Sequence, residues 1–288
     1  MASPARVHLD RGYRFEQAGT LERALEAYHD ALVAATPLEQ AEARLRIARV
    51  YRSMTAYKHS REESREAVRI ATEHGAEDMA AEAMNIEIGA LQMQGFFDDA
   101  EKLALVAIER AQSPRVRGIT LQNLGRGAAE RKDFDRSDRY FDESIKAFRA
   151  ANYDTGLAVA LSNAAKAALD RGNAPRSIAI GLEAIGLARR LNTLDILLTA
   201  VQNQAAAFVA MGDVDSAESL LTEALGHFTS ARNPIRQAEC LEIMGQMNEL
   251  RRDSETADRC YVRARDLAVS ANDLPLIERL DARLNRSR

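Results

Sequence analysis

The strongest constraint on this chain is a pair of sequence columns that hold only Ala or Ser. The first contains Ala24, Ser60, Ala100, Ser137, Ser177, Ala217 and Ala257. The second, seven residues further on each time, contains Ala31, Ala67, Ala107, Ser144, Ala184, Ala224 and Ala264. Only 67 of the 288 residues are Ala or Ser, so agreement at all 14 positions is not accidental. Helices reach the short end of the usual ~8–10 Å axial separation only where the contacting side chains are small. The columns therefore predict a tandem array of closely packed helices.

The repeat frame starts near Ala5, Ala41, Ala81, Gly118, Ala158, Leu198 and Ala238. It is plainest where the stretch from Leu161 aligns without gaps on the stretch from Val201, so that Arg171-Gly172-Asn173 falls on Met211-Gly212-Asp213. Gly19, Gly95, Gly172 and Gly212 mark a turn inside the repeat, and Lys132-Asp133 and Arg252-Asp253 replace it in repeats four and seven. Pro37, Pro114, Pro234 and Pro275 fall between repeats, and Pro175 follows a turn where a first-turn proline is tolerated. Asn152, Asn192 and Asn272 recur just after second helices, as left-handed caps do. Ala is the commonest residue at 52, with 15 Gly, 6 Pro and no Trp, a helical composition that argues against a β-sandwich.

On these residues the chain resembles the tetratricopeptide-repeat (TPR) proteins. Repeat one supplies the family's small, turn, Ala, bulky and Ala positions as Gly12, Gly19, Ala24, Tyr28 and Ala31. Repeat six supplies Ala205, Gly212, Ala217, Leu221 and Ala224, and repeat seven Gly245, Ala257, Tyr261 and Ala264. The family's Trp is absent throughout, and the period is near 40 rather than ~34 residues. Long-period arrays of this kind are similar to those of kinesin light chains, Leu-Gly-Asn adaptors and bacterial peptide sensors. The resemblance implies an all-α, right-handed solenoid of seven helical hairpins. Residues 1–273 would form one superhelical domain. Leu274 to Arg288 would form a capping helix with Leu276, Ile277, Leu280 and Leu284 turned inward.

In such a fold the first helix of each hairpin lines the concave groove. The sixth column reads Asp10, Arg46, Ile86, Asn123, Asn163, Asn203 and Ile243, with Asn in three consecutive repeats. The fifth column adds Asn85, Gln122, Ser162 and Gln202. Asn in a helix interior costs ~0.5 kcal/mol against Ala, so something must offset it. A primary amide both donates and accepts, so a row of amides can hold an extended peptide backbone; equally, the amides can bond to neighbouring helices within the stack. The ninth column reads Tyr13, Arg49, Gly89, Arg126, Lys166, Ala206 and Gln246, and with Arg46 and Arg52 it makes the early groove basic. Glu239, Glu242 and Glu249 make the seventh repeat acidic. The candidate peptide-binding residues are therefore Asn123, Asn163, Asn203, Arg126, Lys166, Asn85, Gln122, Gln202, Arg46 and Arg49, facing an extended, acidic or C-terminal segment of a protein.

Other functions find no support. There is no Walker loop, HExxH or GxSxG, so no catalytic residue, metal or cofactor is expected. The net charge of −4 does not favour nucleic acid, and no apolar run spans a membrane. The charged N-terminal stretch and two cysteines, Cys240 and Cys260, fit a cytoplasmic setting, and the five Lys among 39 basic residues fit a GC-rich bacterial genome. The expectation is a non-enzymatic adaptor that binds a peptide segment. The alternative is a peptide- or ligand-responsive regulator whose solenoid changes shape on binding.

Overall fold

The computed structural model describes residues 3–33 and 35–285. Among these residues the secondary structure is 15 α-helices. The last three residues of the expected capping helix, 286–288, lie outside the described residues. The contacts cluster into two compact units, Met1–Tyr153 and Asp154–Arg288.

The first unit holds four hairpins: α1 (Pro4–Gln17) with α2 (Leu21–Leu32), α3 (Pro37–Ser53) with α4 (Tyr57–Glu73), α5 (Glu77–Met93) with α6 (Phe97–Arg110), and α7 (Pro114–Glu130) with α8 (Phe134–Ala150). Within it, α1 packs on α3, α3 on α5 and α5 on α7, so the first helices lie side by side. The second unit holds α9 (Asp154–Asp170) with α10 (Ala174–Leu191), α11 (Leu194–Ala210) with α12 (Val214–Ser230), α13 (Pro234–Leu250) with α14 (Ser254–Ser270), and a last helix α15 (Leu274–Leu284). Here α9 packs on α11 and α11 on α13.

First helices begin earlier than the repeat frame implies: at Pro37 rather than Ala41, Glu77 rather than Ala81 and Pro234 rather than Ala238. Prolines mark two of these three starts, while Glu77 opens α5 without one. Pro37, Pro114 and Pro234 do not separate repeats but open the first helix of the next one, where a missing N–H is harmless. Pro275 and Pro175 likewise lie in the first turns of α15 and α10.

All seven hairpin turns contain a residue with positive φ: Gly19, Thr55, Gly95, Lys132, Gly172, Gly212 and Arg252. Asn152, Asn192 and Asn272 adopt the same left-handed conformation between hairpins, with φ of 50°, 52° and 56°. In repeats four to seven the following residue caps the second helix. The side chains of Asp133, Asn173, Asp213 and Asp253 accept from the backbone N–H groups of Arg136, Arg176, Ser216 and Thr256.

All 14 residues of the two small columns are at most 1% exposed. Their small size lets aromatic rings reach the partner helix. In the first unit a Cβ added to Gly12 would lie 2.4 Å from Tyr28 Cε1, and one on Gly118 would lie 2.7 Å from Phe148 Cε1. The hydroxyls of Ser137 and Ser144 donate to the carbonyls of Gly125 and Gly118 at 2.9 and 2.8 Å. In the second unit Gly245 and Tyr261 repeat the Gly12–Tyr28 contact at the same 2.4 Å. The last helix, α15, buries Leu276 and Leu280 against α13 and α14 and keeps Ile277 and Leu284 partly covered.

The aromatic contacts and an open helical glycine make opposite predictions. Gly12→Ala is expected to cost about 1–3 kcal/mol by overpacking Tyr28. Gly186→Ala, in the interior of α10 with nothing within 4 Å of the new methyl, is expected to gain about 0.5–1 kcal/mol. Urea denaturation of both variants checks the two signs together.

Candidate functional site

Helices α3, α5 and α7 of the first unit line an open cleft of about 620 Å³. Five of the ten residues chosen from the sequence meet there: Arg49, Asn85, Gln122, Asn123 and Arg126. Arg52, Glu82, Arg115, Tyr57 and Tyr153 add further polar and aromatic groups to its lining, and Gly89 lies among them. Arg46 lies in an adjoining cleft of about 550 Å³, which shares Arg49, Glu82 and Arg115.

A polar network ties α5 to α7 along the cleft wall. Asn123 Nδ2 donates to Asn85 Oδ1 at 3.0 Å, and Asn85 Nδ2 donates to Thr120 Oγ1 at 2.9 Å. The Thr120 hydroxyl donates onward to the carbonyl of Val116 at 3.2 Å. Arg126 donates from Nε and Nη2 to Gln92 Oε1, at 3.1 and 2.6 Å, and from Nη2 to Asn123 Oδ1 at 3.4 Å. Gln92 Nε2 returns the chain to the backbone carbonyl of Asn123 at 2.8 Å. Asn85 and Asn123 are buried, so these bonds offset the cost of placing amides inside helices. In the second unit Asn203 Nδ2 reaches Ser162 in the same way, donating to its backbone carbonyl at 3.2 Å. In both units a sixth-column Asn donates to a fifth-column residue of the preceding first helix.

The cations divide into two classes. Arg49 is paired: its Nε and Nη2 donate to Glu16 Oε1 and Oε2 at 2.7 and 2.8 Å, and Tyr28 Oη donates to the same carboxylate at 2.7 Å. Burial opposes its charge, but Glu16 and then Tyr28 outweigh this and hold Arg49 above its ordinary value. Arg46 binds Glu42 at 3.1 Å and lies 5.4 Å from the centre of the Tyr13 ring. Arg115 pairs with Glu82, whose carboxyl is pushed up mainly by burial.

Arg52 and Arg126 have no such carboxylate. Among the described residues no side-chain hydrogen bond or ion pair engages the Arg52 guanidinium, and Arg126 is held only by the uncharged groups of Gln92 and Asn123. Burial, then the like charges of Arg126 and Arg49, push Arg52 down to about 10. Burial also lowers Arg126, against a smaller opposing effect of Glu130. Gly89 provides the space: a Cβ there would lie 2.6 Å from Arg52 Nη1. In sequence terms Arg52 counted only toward a basic stripe. The signal that sets it apart is the glycine opposite it, in a column that elsewhere carries longer side chains.

The remaining sequence candidates lie in the second unit. Lys166 pairs with Asp170 at 2.7 Å on an exposed face. Asn163 is partly buried and Gln202 exposed. The acidic seventh repeat is covered: Arg279 of α15 binds Glu242 at 2.8 Å, and Arg283 lies 3.7 Å from Glu249. Glu239 pairs with Arg236 of its own helix at 2.5 Å, so the expected negative stretch is neutralised by Arg236 together with the last helix. Cys240 is buried, with burial pushing its thiol up to about 12, and its Sγ donates to the carbonyl of Leu221. Among the described residues no cluster of three or more His, Cys, Asp or Glu side chains could hold a metal ion, and no helix is long and apolar enough to cross a membrane.

The Asn85–Asn123 bond is testable by a double-mutant cycle in denaturant. Each single Ala variant leaves a buried partner unsatisfied and is expected to lose about 1–3 kcal/mol. The double variant is expected to lose less than the sum, with a coupling of about 0.5–1 kcal/mol.

No protein-family model and no curated protein matches the chain. Solved structures do. A Rap protein complexed with Competence and Sporulation Factor superposes with a TM-score of 0.67 at 16% identity, covering 100% of this chain and 78% of that one. The apo form of the quorum sensor NprR from B. thuringiensis gives 0.69 at 15% identity, covering 90% and 75%. A tetratricopeptide repeat protein from Parabacteroides merdae gives 0.58 at 14% identity, covering 98% of both chains. The helical hairpins, their small-residue seams and these likenesses agree that the chain has the fold of a tetratricopeptide-repeat solenoid.

Proposed function

We propose that the protein is a non-enzymatic, cytoplasmic adaptor that binds an extended segment of another protein along its first helices. The observation that carries this reading is the first-unit cleft, where amides and cations from three successive first helices converge on one open wall. Arg46, Arg49 and Arg126 favour an acidic or C-terminal segment by charge-assisted bonds. Asn85, Gln122 and Asn123 offer amides to its backbone. Within the second unit, Asn163, Gln202, Asn203 and Lys166 are proposed to make contacts of the same kind. Asn123 uses one amide proton on a neighbouring helix, which leaves the second for a peptide carbonyl, whereas Asn203 Nδ2 donates to both the carbonyl and the hydroxyl of Ser162 and offers its Oδ1. The free thiols of Cys240 and Cys260 suit a reducing compartment.

A second reading is a regulator whose solenoid changes pitch when a peptide binds. It is favoured by fold likeness to a Rap protein complexed with Competence and Sporulation Factor and to a quorum sensor.

The test is co-purification of the partner from the native organism, followed by titration of the captured segment. Replacing Asn123, Asn163 and Asn203 together by Ala is expected to weaken binding by about fivefold per lost hydrogen bond. Unchanged affinity in a variant with native helicity would remove the amides from recognition. A change in small-angle scattering on adding the segment selects the regulator over the passive adaptor.

A further inference from the structure

Among the cations lining the first-unit cleft, Arg52 is the one for which the described residues supply no hydrogen bond or ion pair. Arg49, Arg46 and Arg115 each face a carboxylate. Arg52 faces Arg49 and Arg126, two further cations, and no acid or amide holds it. A desolvated charge without a partner is unfavourable, and mutual repulsion adds to the cost. The sequence nevertheless makes room for it. Gly89 sits in the interior of α5, where Ala is the better helix former, and the guanidinium lies over the position a methyl group would occupy. Arg126 is meanwhile held in place by Gln92 and Asn123 through Nε and Nη2, and among the described residues Nη1 has no partner. One guanidinium is wholly available and a second is fixed beside it with donors to spare. That is the donor set a planar oxyanion takes up.

We infer that Arg52, its guanidinium seated over Gly89, and Arg126 form a binding site for a single carboxylate in the first-unit cleft. The source of the carboxylate, a peptide's C-terminus or acidic side chain, rests on the function proposed above; the site itself does not. A carboxylate is chosen over phosphate because it is planar and matches the flat donor edge of a guanidinium, and Glu82 in the same lining is already paired with Arg115. Arg52 is thus a specificity-determining residue, and Gly89 keeps its guanidinium in reach.

The experiment needs no peptide. The Nε–Hε resonance of Arg52 is followed by NMR in the intact chain while N-acetylglycine is added, with N-acetylglycinamide and inorganic phosphate as separate arms. The expected result is a saturable shift with N-acetylglycine, none with the amide, and weaker binding of phosphate. Because Arg52→Gln removes that probe, binding to the variants is read from the Arg126 Nε–Hε resonance. Arg52→Gln is expected to weaken the response about tenfold. It should also melt no lower than the parent in buffer without carboxylates, because it removes an uncompensated charge. Gly89→Ala is expected to fold, since its methyl displaces only the flexible end of Arg52, and to lose the response. Equal shifts with the acid and the amide, tighter binding of phosphate, or an unchanged response in Arg52→Gln would each overturn the assignment. The peptide reading stands or falls separately, on the Asn variants and the captured segment.

Discussion

Close approach of helices through small side chains is the interaction on which the rest of this structure depends. With Ala or Ser at every position of two columns, the helices of a hairpin come near enough for a ring on one to cover a glycine on the other. Tyr28 over Gly12 and Tyr261 over Gly245 are the same contact made in different units. It turns two amphipathic helices into a rigid module and fixes which faces remain for neighbours. The polar wall of α3, α5 and α7 is what is left once those faces are buried.

Much of this was legible in the sequence because it is repetitive. A constraint that recurs seven times can be read by aligning the chain on itself. The small columns and the left-handed turn residues have that character; the inward face of α15 is legible instead from the helical spacing of Leu276 and Leu280. Helix starts were misjudged because the frame was anchored on the small residues, whereas the prolines that open the first helices lie upstream of them. Pro37 and Pro234 look like separators until the N-terminal first turn is recognised as the place where proline is at home.

What was least legible is what occurs once. Arg49 and Arg52 are three residues apart and equally basic, yet one is locked to Glu16 and the other has no acid. That difference depends on Glu16 from the preceding hairpin and on Gly89 from the following one, so no local pattern reveals it. The charge of the seventh repeat misled for a related reason. Glu242 and Glu249 form an acidic stripe only until α15 brings Arg279 and Arg283 over them. Charge read along one helix says little about potential when the neighbouring helix carries the opposite sign.

The amide pair between α5 and α7 bears on how such a chain avoids assembling wrongly. Hairpins that share one design can in principle stack on the wrong neighbour, a characteristic failure of repeat arrays. Apolar seams alone discriminate poorly, since Ala and Leu pack acceptably against many partners. Asn85 and Asn123 satisfy each other, and through Thr120 and Gln92 their surroundings, in one pairing of helices. Shifted in register along the helix, the same amides would be sealed in without partners at a cost of about 1–3 kcal/mol each. Such a polar seam thus acts as a proofreader of register, rejecting slipped arrangements that the small-residue columns would tolerate.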